Sequence, residues 1–253
     1  MHKFFAKTLF LGKKVCYLPE CHSTNEEAHH IISLEKPIEG LVVVTDRQTK
    51  GKGQRGNIWE SEPGKNLTFS TVLKPSFIKI PDQFGLHLLS SLAIHDALFS
   101  ILGNKLSIKW PNDIYYEDNK LGGILIENSI RGNGIEYSII GIGININQLV
   151  FETPHATSLA DIGLQDYNIM EVAENILANL EKRYLLLKKS HFTLLLNEYH
   201  ARMYKYGQNQ LFSENGVVFT GTIRGVEKTG KIIIESDGNM LKFDFKEIEF
   251  LRD

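Results

Sequence analysis

The sequence predicts an α+β protein in which a mixed or antiparallel sheet is packed by helices and followed by a small C-terminal β-barrel. Three observations predict it. Strand-like runs stand side by side with turn residues between them, as at Pro111-Asn112-Asp113 and Asp118-Asn119-Lys120, which favours hairpins over a regular βαβ array. Only a few segments are long and periodic enough for helices. After Tyr206 the chain breaks into four short strand-like runs separated by Glu214-Asn215-Gly216, Thr229-Gly230 and Asp237-Gly238-Asn239, the spacing of a small barrel.

The elements follow in order. Residues 15–18 read as a short strand, and Ser23 with Glu26 has the capping-box spacing that starts a helix. Residues 41–48 are β-branched and bounded by Gly40, and residues 66–74 alternate, so both read as strands. In 81–102, Leu89, Ala93, Ala97 and Ile101 recur at helical spacing, with Pro81 suited to the start and Gly103 to the stop. Residues 106–110, 114–117, 121–127 and 135–145 read as strands. Helices are expected at 168–188 and 193–203; in the first, Ile169, Val172, Ala173, Ile176, Leu180 and Tyr184 form one stripe, read as core packing. The runs at 209–212, 217–224, 231–235 and 240–245 complete the chain. A larger unit at 1–205 and a smaller one at 206–253 are expected.

Composition narrows the function. The chain has 253 residues with 28 Lys and Arg against 30 Asp and Glu, a net charge of −2, so no global basic field is present to hold nucleic acid. Cys16 and Cys21 are the only cysteines, too few for a disulfide framework or a zinc cage, and a reducing cytoplasm is the expected setting. Lys7 interrupts the apolar N-terminal run and no cleavage site follows, so a strand or arm is expected there rather than a signal peptide. No apolar run reaches the ~18 residues of a spanning helix, and no membrane association is expected.

The stretch Thr45–Ser61, TDRQTKGKGQRGNIWES, contains G-x-G-x-x-G at Gly51, Gly53 and Gly56. A dinucleotide-binding turn would open a helix at the third glycine, but Pro63 and Gly64 stand where that helix would run. No Gly-Lys-Ser/Thr occurs, so the P-loop fails as well. What survives is a glycine-rich backbone beside Lys50, Lys52 and Arg55, a basic loop able to close over a phosphate-bearing ligand. Taken alone, the stretch reads equally as a solvated hairpin tip. Lys109 lies in an apolar strand run beside Trp110 and Pro111, as a cation facing an anionic reaction centre or a lysine snorkelling from a sheet edge. The histidines and the cysteine pair have no metal-ligand spacing, and no metal site built from protein side chains is expected.

Taken together, Ser23-Thr24-Asn25, Gln48, Gly51-Lys52-Gly53-Gln54-Arg55-Gly56, Lys109-Trp110-Pro111-Asn112-Asp113, Lys120-Leu121-Gly122-Gly123-Ile124-Leu125 and Gly141-Ile142-Gly143-Ile144-Asn145 resemble biotin protein ligase, also called biotin–[acetyl-CoA-carboxylase] ligase, in the form lacking an N-terminal DNA-binding domain. The blocks occur in the family's order across roughly residues 20–145. The resemblance implies a class II aminoacyl-tRNA synthetase/biotin ligase-like fold with an SH3-like C-terminal barrel. It implies ATP-dependent activation of biotin to biotinoyl-5′-AMP, then transfer to a lysine of a biotin carboxyl carrier protein domain, with Mg²⁺ carried on the nucleotide.

By the same resemblance, Lys109 and Arg55 are the catalytic cations. Ser23, Thr24, Asn25, Gln48, Lys52, Gly53, Gln54, Lys109, Gly122 and Gly123 bind biotin, and Lys52, Arg55, Trp59, Asn112, Lys120 and Asn145 bind the nucleotide. Asp113 either orients the Lys109 turn or contacts ligand. Many family members carry arginine at the positions of Lys52 and Gln54; lysine lacks the guanidinium fork, so weaker bidentate phosphate contacts are expected here. Monomer and homodimer both stay open. Competing readings are a lipoate or octanoate ligase of the same fold, whose paired-arginine motif is not found, and a non-catalytic biotin-responsive regulator.

Overall fold

The computed structural model describes residues 7–34 and 38–251, with Arg55 described by its backbone alone. The first part of the expected N-terminal arm, residues 1–6, therefore lies outside the described residues. From Lys7 the chain runs as turns and bends to β1 (Val15–Cys21). The amides of Leu9, Phe10 and Leu11 donate to the Glu181 carboxylate at 2.6–3.0 Å, which pins the arm to the rest of the molecule.

Seven strands make the main sheet: β1, β2 (Val42–Gln48), β3 (Leu67–Leu73), β4 (Leu106–Lys109), β5 (Asp113–Tyr116), β6 (Asn119–Arg131) and β7 (Gly134–Ile144), in the order β1-β2-β3-β7-β6-β5-β4. β1 and β2 are parallel and every other pair is antiparallel, so the sheet is mixed, as the hairpin-rich sequence predicts. Alternation along the strands splits the molecule into two layers. Leu41, Val43, Val72 and Ile139 face α1 (Thr24–Leu34) through Ala28. Val42, Leu67, Phe69, Leu73 and the isoleucines 140, 142 and 144 face the larger core.

That larger core is built on α2 (Gly85–Leu102), α4 (Ile169–Lys188) and α5 (Phe192–Ala201). Contrary to the sequence expectation, one stretch, Ile80–Lys105 around α2, is long and apolar enough to cross a bilayer by length and composition, yet most of it is buried inside the protein, as for a core helix. α2 starts later than Pro81 predicts, because Ile80–Asp82 forms a separate 3-10 turn. The short α3 (Leu159–Gly163), capped by the Ser158 hydroxyl on the Asp161 amide, has no periodicity long enough to be read from sequence.

After α5, residues 202–204 run beside β4: Ile108 N–H donates to the Arg202 carbonyl and Tyr204 N–H to the Ile108 carbonyl, both at 2.8 Å. The chain then forms an antiparallel sheet of β8 (Asn209–Glu214), β9 (Val217–Val226), β10 (Ile232–Ser236), β11 (Asn239–Phe243) and β12 (Glu249–Phe250), ordered β11-β10-β9-β8-β12. Its two outer strands, β11 and β12, leave it an open small-barrel sheet rather than a closed one. The Trp110 indole donates to the Gly230 carbonyl at 2.9 Å, and Phe245 packs on Trp110, Phe84 and His87. Buried residues of both sheets belong to one continuous apolar cluster, so the connection at 205–206 joins parts that share a core.

Candidate active site

A cleft opens on the α1 face of the main sheet. Its lining comes from the start of α1, the ends of β2 and β6, the middle of β7 and the basic glycine loop. The floor is made by alternation. In β7 the isoleucines 140, 142 and 144 fill the core, so Gly141 and Gly143 turn to the opposite face. A Cβ at Gly141 would stand 2.4 Å from Asn25 Oδ1, and one at Gly143 would stand 2.5 Å from the Trp59 ring. On β6, Gly123 lines the cleft and would meet Trp59 and Asp113.

One end of the cleft is a buried polar chain. Gln48 Oε1 accepts the Thr24 amide at 2.8 Å, Ser70 Oγ lies 2.7 Å from Thr24 Oγ1 and 2.5 Å from Asn25 Oδ1, and Asn25 Nδ2 donates to Glu127 at 2.6 Å. Every one of these groups is held by a neighbour on another element, so their directions are set before any ligand arrives. Ser23, directly before α1, completes this end and is itself buried.

The other end is ionic. Lys120 Nζ and the Asp113 carboxylate pair at 2.8 Å, both part-exposed into the cleft, and Asn112 is held beside them by its amide donating to the Ile124 carbonyl at 2.7 Å. Between the ends hangs the glycine loop. Gly53 N–H donates to the Asn57 carbonyl (2.7 Å) and Trp59 N–H to the Gly51 carbonyl (3.0 Å), closing a tight hairpin over a 3-10 turn at Gln54–Gly56. Its Lys52 reaches Glu26 on α1 at 2.5 Å. That contact raises the lysine's pKa and lowers the glutamate's, so Glu26 serves the loop as well as its helix. The Trp59 indole lies on the bare backbone of Gly143, and its N–H is buried with no protein partner.

The structure thus brings Ser23, Thr24, Asn25, Gln48, Lys52, Gly53, Gln54, Trp59, Asn112, Lys120 and Gly123 of the expected residues to one cleft. Lys109 stands at its edge: it pairs in register with Asp113, which pairs with Gly123, so all three are set on the cleft face of the sheet. The Lys109 ammonium lies 3.1 Å from Tyr115 Oη and over the rings of Tyr115, Tyr204 and Phe250, an aromatic box against the C-terminal sheet. Gly122 departs from expectation. It faces the core side, where a Cβ would meet the Ile144 side chain at 2.5 Å and the Gly143 carbonyl at 2.8 Å. Asn145 is buried at the end of β7; its amide donates to the Thr157 carbonyl at 3.0 Å, while Oδ1 has no protein partner. The side chain of Arg55 lies outside the described residues.

Sequence reasoning missed Ser70 and Thr68, although the polar alternation of N-L-T-F-S-T carried the signal that these positions share a face. Among the described residues no group of three or more acidic, histidine or cysteine side chains could hold a metal, and Asp113 is the acidic residue of the cleft lining.

A mixed α+β sheet carries a glycine-floored cleft, polar at one end and ionic at the other, the kind of concave site in which a few placed polar groups hold a small ligand. The profile of the biotin/lipoate A/B protein ligase family matches residues 17–145. The bifunctional ligase/repressor BirA of Bacillus spizizenii is 30% identical over 252 residues, covering 98% of this chain and 77% of that one. The biotin–[acetyl-CoA-carboxylase] ligase of Mycobacterium tuberculosis is 25% identical, covering 91% of this chain and 86% of the relative. Among solved structures, biotin protein ligase from Aquifex aeolicus in complex with biotin and ATP superimposes with a TM-score of 0.80 at 28% identity, covering 95% of this chain and all of the other. The chain belongs to the biotin/lipoate A/B protein ligase family.

Proposed function

We propose that Lys120, across Asp113 from Lys109 in the sheet, is a cation at the reaction centre of an ATP-dependent biotin protein ligase. The observation that carries this reading is that one cleft joins the Gln48–Thr24–Ser70–Asn25 chain to the Lys120–Asp113 pair across a floor cleared by glycines. The ureido head of biotin presents both donors and acceptors and suits the polar end; its apolar ring and chain suit the glycine floor and the Trp59 indole. Its carboxylate then points toward Lys120.

In the first step a biotin carboxylate oxygen attacks the α-phosphorus of ATP, the bond to the β-phosphate oxygen breaks, and pyrophosphate leaves. Two anions must meet, and Lys120 is fixed to offset their repulsion where charge accumulates. Lys52 and Arg55 of the loop add positive charge as it closes. Asn145 Oδ1, buried without a protein partner, offers an acceptor to an amino group of the base. Mg²⁺ would supply charge neutralisation on the phosphates, and Asp113, the carboxylate of the cleft lining, would be the residue to hold it. In the second step the amine of a carrier-domain lysine attacks the carbonyl of the mixed anhydride, and AMP departs. Closure of the loop keeps water from that anhydride.

Incubation with biotin, ATP, Mg²⁺ and a biotin carrier domain tests this reading. The carrier is expected to gain the mass of one biotinyl group at one lysine. Modification with lipoate or octanoate and none with biotin would overturn it.

A further inference from the structure

The reaction above makes no use of the Glu60 carboxylate. Glu60, directly after Trp59, accepts four hydrogen bonds from a single distant segment. Oε1 takes the Glu152 amide at 2.9 Å and the Gln148 side-chain amide at 3.3 Å; Oε2 takes the Thr153 amide at 2.9 Å and its hydroxyl at 2.8 Å. The stitching runs both ways. Gln148, itself buried, accepts the Glu62 amide at 2.9 Å and the Asn66 side chain at 2.5 Å. Burial works to raise the Glu60 pKa, but the donors from residues 148–153 outweigh it and hold the group below the usual carboxylate range, so the acceptor stays charged at neutral pH.

Both stitched segments end on the cleft. The Glu60 segment carries the Trp59 indole that rests on Gly143. The other runs on to His155, whose carbonyl accepts the Lys120 amide at 2.7 Å, and to Thr157, whose amide donates to the Lys120 carbonyl at 2.9 Å. A carboxylate outside the cleft thus ties the base of the loop to the backbone that carries the reaction-centre lysine.

We infer that Glu60 is a positioning residue: a latch that makes the glycine loop and the 148–157 segment close over the adenylate, and open from it, as one unit. The inference deepens the proposed ligase activity and rests on it for the adenylate. Its structural part, the coupling of two segments, stands without it.

The test compares the full-length wild type with Glu60→Ala and Glu60→Gln by hydrogen exchange, without ligand and with biotin and ATP. Loss of charge-assisted bonds in Glu60→Ala is expected to speed amide exchange about tenfold in residues 51–59 as well as in 148–157. Glutamine keeps one acceptor but turns an NH₂ toward backbone donors, so Glu60→Gln is expected between the two. In activity assays, AMP formed per carrier modified is expected to rise about tenfold in Glu60→Ala, as adenylate escapes to water before transfer. Faster exchange confined to 148–157, the result of a merely local support, would overturn the latch. An unchanged ratio of AMP to modified carrier would overturn its role in retention. A wild type that makes no adenylate from biotin and ATP would instead count against the ligase reading, and the ligand-free exchange would still decide the coupling.

Discussion

Lys120→Ala is expected to lower biotin-dependent ATP–pyrophosphate exchange by about a hundred- to a thousandfold, the scale for removing one preorganised charge from a reaction centre. Lys109→Ala is expected to change it by no more than about tenfold. The two lysines lie on β4 and β6, the strands on either side of β5, and differ in what surrounds them. Lys120 faces the cleft, held by Asp113 at 2.8 Å, and can exchange that partner for substrate anions. Lys109 is committed to Tyr115, Tyr204 and Phe250, with its ammonium 4.7–5.9 Å from the three ring centres. Its loss should therefore appear as stability, about 1 kcal/mol from cation–π contact, read by denaturant unfolding. Exchange kinetics on both variants check the ranking; a Lys120→Ala enzyme with near-normal exchange would remove Lys120 from the role given to it.

The second large effect is expected at the floor. Gly141→Ala places a methyl group 2.4 Å from Asn25 Oδ1, inside a buried chain in which Asn25 is already bonded to Ser70 and Glu127. The Asn25 side chain can move away only by giving up those bonds. Overpacking of this kind costs about 2–3 kcal/mol, a fall of roughly 4–12 °C in Tm for a chain of this size. Biotin affinity, read by calorimetry at a temperature where the variant is folded, is expected to drop by at least about tenfold, because the shifted group belongs to the polar end of the cleft. Gly134→Ala is the matched control on the same strand. Its Cβ would meet only the Ser76 and Ile78 carbonyls at 3.8–3.9 Å, an ordinary contact, and little change is expected. Equal effects at both positions would show that the strand, and not the cleft, resents the methyl group.

Much of the molecule was legible before its structure. The I-G-I-G-I run of β7 at residues 140–144 carries its own explanation: isoleucines on the core face, and glycines on the face of α1 and the cleft. Ser23, Thr24, Asn25 and Gln48 were legible as a group only through the family resemblance, and the structure places them together in the cleft. What escaped depends on long-range partners. Lys109 and Asp113 are paired in register, so the choice between Lys109 and Lys120 rests on Tyr204 and Phe250, contributed from the far end of the chain. Gly122 and Gly123 look alike in sequence; strand alternation sends one to the core and the other to the cleft. The Glu60 latch joins residues 88–93 positions apart, a separation no local pattern encodes.

A crystal structure with biotin and a non-cleavable ATP analogue bound together tests the central claim most directly. The account predicts the Lys120 ammonium within about 2.7–3.2 Å of both a biotin carboxylate oxygen and an α-phosphate oxygen, with its bond to Asp113 released. An α-phosphate lying against Lys109, with Lys120 still paired to Asp113, would contradict it.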